Sequence, residues 1–305
     1  MTPPKRRGGL RQGTKPPPDG AEGVELRAKD GLTLRATLRD HAADAAPLGT
    51  CVLAHAMFAR RTEFEKAGFA AALARLGWRS IAFDFRGHGE SERPESWGYD
   101  DLVFSDLPAV VEAARDRLGG PVVVVGHSLG GHVALASQGV GSLGADAVVA
   151  IGANVWLREL EPSGPIWAAK RAMLRAIDAL AARRDPFPAR ALRQGSDDES
   201  SRYMRDLARF GLTGAWRSAD GRWDYLAALA RVSIPVAAIA SDGDRLNARP
   251  ECARRFLALT GGPTRFVHVR AADAGGRAPG HMQLVTTGAC ERAWVEAMRW
   301  VASAL

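Results

Sequence analysis

The sequence predicts an α/β fold: a mostly parallel central sheet flanked by helices, with a helical insertion in the second half of the chain. Three observations lead there. Apolar strand-like runs alternate with helix-like segments from Thr50 to Gly152, the order that builds a parallel sheet. The run Pro121-Val122-Val123-Val124-Val125 is apolar throughout, as a strand covered on both faces must be. From Asn154 to about Arg231 strand character is lost and helix-like segments replace it. The expected organisation is a disordered tail over 1–20, a main domain over 21–153 and 232–305, and a helical cap over 154–231.

At 305 residues the chain can form one large domain whose core needs no crosslinks. Val24–Ala28 and Leu32–Leu38 alternate apolar and polar residues around Lys29-Asp30-Gly31, which reads as an antiparallel hairpin at a sheet edge. Thr50–Ala54 is an apolar strand running into His55-Ala56-Met57-Phe58. Helix signals fill Glu63 to Leu76 and stop at Gly77. Ser80–Phe83 is the next strand, followed by the glycine-punctuated loop Asp84–Ser91 and a helix over Leu102–Leu118. The valine strand comes next, then Ala147–Ile151. In the insertion, Ile166–Arg184 and Ser201–Phe210 have helical character. Strands return at Ile234–Ala240 and Arg265–Val269, with helices over Glu251–Leu259 and from Gly288 to Ala304.

Chemistry concentrates after the valine strand. Gly126-His127-Ser128-Leu129-Gly130 matches G-x-S-x-G, and Val133, Ala134 and Leu135 suit a following helix. A turn this sharp forces the serine into a strained conformation, and its neighbours two residues away must be small. The hydroxyl of Ser128 then stands above the sheet as a candidate nucleophile. Backbone N–H groups at the helix start, that of Leu129 first, face the position where an oxyanion would form. A second N–H is expected from the loop after Thr50–Ala54, at Met57.

Serine at neutral pH needs a base, and the base needs a group that holds its tautomer. His281 follows a strand and a glycine-rich loop and is the candidate base. Of the other histidines, His268 lies in a strand pattern and is expected in packing, His41 is in a polar loop, His127 is expected to shape the elbow, His132 lies one turn into the helix, and His55 is expected to be structural. The acid is Asp244 or Asp242, both in the loop after Ile234–Ala240. The order Ser, Asp, His and the strand ends that carry them are those of a hydrolytic triad.

These pieces resemble the α/β-hydrolase superfamily over Val24 to the C-terminus. The resemblance rests on His55-Ala56-Met57-Phe58, Asp84-Phe85-Arg86-Gly87-His88-Gly89-Glu90-Ser91, Gly126 to Gly131, Asp244 and Gly280-His281. Within the superfamily the chain looks like the serine aminopeptidase and monoacylglycerol-lipase group, and closer still to a branch of capped bacterial hydrolases. The resemblance implies the α/β-hydrolase fold, favours Asp244 over Asp242, and implies no metal or organic cofactor. Where the family has His-Gly, this chain has His55-Ala56. The implied activity is hydrolysis of a carboxylic ester, less readily a thioester or small amide, through Ser128, His281 and Asp244. Acyl transfer with the same residues, or a binding protein on a hydrolase fold, are the alternatives.

Composition narrows the partners. Net charge is +7, and four of those charges fall in the first twenty residues, where Lys5, Arg6, Arg7, Arg11 and Lys15 face only Asp19. That stretch is rich in Pro and Gly without apolar period, hence the expected disorder. No folded basic motif accompanies it, so no nucleic-acid partner is implied. No secretory apolar region follows the basic start and no apolar run is long enough to span a bilayer, so a cytoplasmic protein is expected. Cys51, Cys252 and Cys290 show no metal-binding spacing, and Cys51 is expected as a small buried hydrophobe. Four of eight tryptophans, Trp156, Trp167, Trp216 and Trp223, fall in the insertion, which suits either an apolar acyl-substrate cavity or packing of the insertion.

Overall fold

The valine strand lies in the middle of an eight-stranded sheet. The computed structural model describes residues 20–305, so the expected tail, Gly20 apart, lies outside the described residues. The strands are β1 Ala21–Arg27, β2 Thr33–Arg39, β3 Gly49–Ala54, β4 Trp78–Phe83, β5 Val122–His127, β6 Ala147–Ile151, β7 Val236–Ser241 and β8 Thr264–Val269. Their spatial order is β1-β2-β4-β3-β5-β6-β7-β8. β2 runs antiparallel to β1 and β4, and the other pairs are parallel. The all-valine sequence of β5 has a direct cause: Val122 and Val124 enter the core on one face of the sheet, Val123 and Val125 the core on the other.

Ten α-helical segments flank the sheet and form the insertion: α1 Phe69–Arg75, α2 Tyr99–Asp101, α3 Leu107–Leu118, α4 Leu129–Gly139, α5 Gly164–Ala181, α6 Ser201–Thr213, α7 Tyr225–Ala228, α8 Pro250–Leu257, α9 Gln283–Thr286 and α10 Glu291–Ala304, among the described residues. The helix expected over Glu63–Leu76 is two pieces, a 3-10 turn at Arg61–Phe64 and α1, because Gly68 at φ 74 breaks the path between them. The helix expected from Leu102 starts earlier, at Tyr99, and passes through a π turn over Leu102–Asp106. That turn carries Asp106, whose buried carboxylate accepts three hydrogen bonds from Arg86.

Between β6 and β7 the longest elements are α5 and α6, which pack against each other. The start of this stretch is clamped by Glu161. Its buried carboxylate accepts from Lys170 Nζ at 3.0 Å, from Arg249 Nη1 at 2.7 Å and from the Ser163 N–H at 3.0 Å. Lys170 is itself fully buried in α5, so the clamp fixes that helix to the segment following β7. Trp216 is buried, in contact with Tyr225 and Phe256, and Trp223 is 38% exposed. All three cysteines are buried and free.

Strand order reverses between β3 and β5, and ligands in open α/β sheets bind at such a point, outside the carboxyl ends of the strands. The segment Ala54–Phe58 leaves β3 there and Ser128 leaves β5 there. Ser128 holds φ 50 and ψ −107. A Cβ on Gly126 would lie 2.3 Å from the backbone of Gly130 and Gly131, and one on Gly130 would lie 2.1 Å from the Ala54 carbonyl oxygen. The elbow therefore admits no side chain at either position. Gly126→Ala should cost at least ~2 kcal/mol in urea unfolding, whereas Gly164→Ala, with open space around it, should stay within about 0.5 kcal/mol of wild type.

Candidate active site

Three strand ends bring the nucleophile, base and acid candidates together. β5 delivers Ser128, the loop after β7 delivers Asp244, and the loop after β8 delivers His281 just before α9. His281 Nε2 lies 2.9 Å from Ser128 Oγ, and His281 Nδ1 lies 2.6 Å from Asp244 Oδ2. Asp244 is buried, and its carboxylate also accepts the N–H groups of Asn247 and Ala248, each at 2.9 Å. Burial pushes this carboxyl upward, but the hydrogen bond and charge of His281 and the two N–H groups outweigh it and hold it below the ordinary value. Asp242 has a different partner: its Oδ1 lies 2.7 Å from His268 Nε2 on the surface. His268, expected in packing, is thus half-buried and paired, because β8 is the edge strand and that face is only partly covered.

Ser128 opens onto a cavity of about 420 Å³. Met57, Leu129, His132 and Trp156 contribute to its wall, together with Met173 of α5 and Met204 of α6. Among the described residues, no Asp, Glu, Lys or Arg lines it. Of the four insertion tryptophans only Trp156 does so; its Nε1 donates to the Asn247 carbonyl at 3.1 Å. Met57 and Leu129 have backbone N–H groups without a partner among the described residues.

Beneath the cavity the sequence reading missed two glutamates. Glu63 is buried and accepts the Ala56 N–H at 2.9 Å and approaches His127 Nδ1 at 3.2 Å with both oxygens. The other ring nitrogen of His127 points at the backbone carbonyl of His281, at 3.2 Å. Both nitrogens of this buried ring face acceptors. These contacts link the segment after β3, the strand before Ser128 and the backbone of His281. Glu199, from the insertion, pairs in the same way with His88: His88 Nε2 lies 2.8 Å from Glu199 Oε1 and His88 Nδ1 lies 3.0 Å from the Arg86 carbonyl. Burial disfavours the charged ring of His88, but the charge and hydrogen bond of Glu199 raise its pKa overall. The signal that would have found Glu63 and Glu199 is weak: carboxylates in sequence normally read as surface.

His55 is the contrasting case. Its Nδ1 donates to the Ala56 carbonyl at 2.7 Å and its Nε2 accepts the Phe85 N–H at 3.0 Å, so the ring is neutral. Burial, assisted by the nearby charge of His88, brings its pKa from the ordinary 6.5 down to about 3. His132 is also buried, with Nδ1 2.9 Å from the Tyr99 hydroxyl, and burial brings it down to about 3.

The model of the alpha/beta hydrolase family matches residues 51–292. The chain belongs to that family. Solved structures with the same fold include DcsB in complex with its substrate analogue, at TM-score 0.65 and 13% identity over 93% of this chain and 99% of that one. A malate-bound thermophilic esterase from Thermogutta terrifontis superposes at TM-score 0.61 with 16% identity, covering 93% of this chain and 99% of its own. Among curated proteins, protein phosphatase methylesterase 1 of Mus musculus is 39% identical over 67 residues. That match spans 22% of this chain and 17% of the mouse protein. No helix among the described residues is long and apolar enough to cross a membrane.

The buried histidines set an acid limit. Unfolded, His55 and His132 take up protons below about 6.5; folded, they stay neutral to about 3. Between those values the unfolded state holds more protons, so stability falls as pH falls. His88 has the opposite sign: its contribution is complete below 6.5 and is lost as pH rises through its raised folded value. Unfolding free energy should therefore be greatest near pH 6.5 and decline toward pH 4.5 by up to roughly 3 kcal/mol per pH unit, the slope for two protons. Urea titrations across that range should show a slope about half as steep for His132→Gln.

Proposed function

We propose that the chain is a serine hydrolase that cleaves a carboxylic ester through an acyl-enzyme. The observation that carries this reading is the continuous relay Ser128 Oγ–His281 Nε2 and His281 Nδ1–Asp244 Oδ2, at 2.9 and 2.6 Å, beside a cavity free of charged side chains. In the first half-reaction His281 Nε2 takes the Ser128 proton as Oγ attacks the ester carbonyl. Asp244 accepts the Nδ1–H, fixes the tautomer and stabilises the imidazolium. The N–H groups of Met57 and Leu129 receive the developing oxyanion. His281 then protonates the departing alcohol. In the second half a water, deprotonated by the same nitrogen, attacks the acyl-enzyme and regenerates Ser128.

Family membership supports hydrolysis, and the esterases among the structural relatives, with the stretch shared with a protein methylesterase, favour an ester. The insertion acts as the cap over the acyl group. A cavity with mostly apolar walls and no charged side chain favours an uncharged acyl group of medium length, since burying a carboxylate there would leave it unpaired.

Hydrolysis of p-nitrophenyl esters from acetate to laurate tests both parts. Wild type should turn over with an optimum beyond acetate, and a hemisuccinate ester should be a poorer substrate than butyrate by about 100-fold in kcat/KM. Ser128→Ala should lose about a thousandfold or more in kcat. A wild type inactive on every ester, with Ser128 unlabelled by a fluorophosphonate, would remove the reading.

A further inference from the structure

The proposed oxyanion donor Met57 sits in a turn closed by the Ala59 N–H to the Ala56 carbonyl at 3.1 Å. Its neighbour in that turn, Phe58, has φ 64, a left-handed backbone that a non-glycine residue occupies only under constraint, at about 1 kcal/mol or more. The constraint comes from the insertion. Glu199 Oε1 accepts the Phe58 N–H at 3.1 Å, and the Ser196 N–H donates to the Phe58 carbonyl at 3.3 Å. Gly195 lies so close that a Cβ there would meet the Phe58 carbonyl oxygen at 2.1 Å. Asp197, between them, accepts from Arg60 and from the Gly89 N–H and pairs with Arg93. Gly195, Ser196 and Glu199 thus hold the strained turn from both sides.

Glu199 itself is held by two contacts. His88 donates to the same Oε1, and the Glu199 backbone forms an antiparallel bridge with Phe187. Its Oε2 is buried with no partner among the described residues. A buried carboxylate oxygen left unpaired lowers stability, so packing alone gives no reason for a glutamate here. With Glu63 on the Ala56 N–H and Glu199 on the Phe58 N–H, the N–H groups on either side of Met57 are both taken and that of Met57 is left open.

We propose that Glu199 is a positioning residue for the oxyanion hole, so that the insertion completes the catalytic geometry as well as covering the acyl group. The proposal rests on the serine-hydrolase reading above. Without Glu199, Phe58 relaxes out of the left-handed region and rotates the turn that carries the Met57 N–H. Its loss therefore lowers the rate of acylation even for an ester too short to use the cavity.

The test is hydrolysis of p-nitrophenyl acetate by wild type, Glu199→Ala and Glu199→Gln, with fluorophosphonate labelling of wild-type Ser128 and a thermal melt of each protein. If wild type neither labels nor turns over, the serine-hydrolase reading fails and the proposal falls with it. With an active wild type, Glu199→Ala should lower kcat about 100-fold, the loss of one oxyanion donor, and move KM by no more than about threefold. Glu199→Gln, whose amide oxygen still accepts from Phe58, should recover kcat to within about tenfold of wild type. A folded Glu199→Ala enzyme with wild-type kcat, or one changed in KM alone, overturns the proposal and leaves the triad reading intact. Should the alanine variant not fold, Glu199→Asp decides, its oxygen drawn back from Phe58 by one bond length. A kcat loss of at least about tenfold supports the role, and wild-type kcat removes it.

Discussion

A backbone N–H can serve a reaction only if the fold leaves it unpaired and still holds it in place. The turn from Ala56 to Phe58 meets both demands by giving its flanking N–H groups to two buried carboxylates, Glu63 and Glu199. Each carboxylate is matched by a buried histidine whose two nitrogens face acceptors, His127 and His88. The neutral His55 lies between these systems, its ring 4.9 Å from that of His88. The layer below the cavity is thus an ordered set of hydrogen-bonded polar groups, two of which take the N–H groups on either side of Met57.

Such a layer is poor material for stability. Ion pairs taken out of water recover little more than their desolvation, and removing one partner leaves an uncompensated charge at a cost of about 3–5 kcal/mol. Apolar residues at 63, 88, 127 and 199 would hold a core together as well. They could not accept the Ala56 and Phe58 N–H groups, nor donate to the His281 carbonyl. What these polar residues provide is orientation: the segment after β3, the strand before Ser128, the backbone of His281 and the insertion are each tied to another by a directional bond. The strain at Ser128 and Phe58 persists because the surrounding bonds fix both backbones more tightly than relaxation could repay.

This distinction explains what could be read from the sequence. The sheet was legible because β5 is apolar on both faces and the hairpin before it alternates, patterns set by burial alone. Ser128 and His281 were legible because a glycine-bounded elbow and a late histidine after a strand are local features. Asp244 and Asp242 were harder: they share a loop, both lie beside a histidine, and only the fold assigns His281 to one and His268 to the other. Glu63 and Glu199 could not be found at all. Glu199 lies 141 residues from the N–H it accepts and in a segment without regular periodicity. A charged residue in such a stretch reads as solvated surface until the tertiary structure buries it. The break in the helix at Gly68 has a related cause, since a single glycine inside a helical pattern is tolerated at a modest cost and does not by itself mark an end.

The same bonds bear on how a substrate enters. A cap that swings open needs a free edge, yet the insertion is fixed near its start by Glu161 to Lys170 and Arg249, and again at Gly195–Glu199 to the turn and to Arg60 and Arg93. Opening at the second point would break several polar contacts at once and release the turn that carries Met57. What remains comparatively free is the rim, where Met173 and Leu192 line the cavity while 42% and 46% exposed. Met173 has three rotatable side-chain bonds and a soft thioether, so it can move aside without disturbing the backbone. On the serine-hydrolase reading proposed above, entry past such side chains would leave both anchors closed throughout the cycle. The arrangement therefore favours a passage controlled by rotamers over one controlled by domain motion, because one of the two anchors, at Gly195–Glu199, also holds the turn that carries Met57.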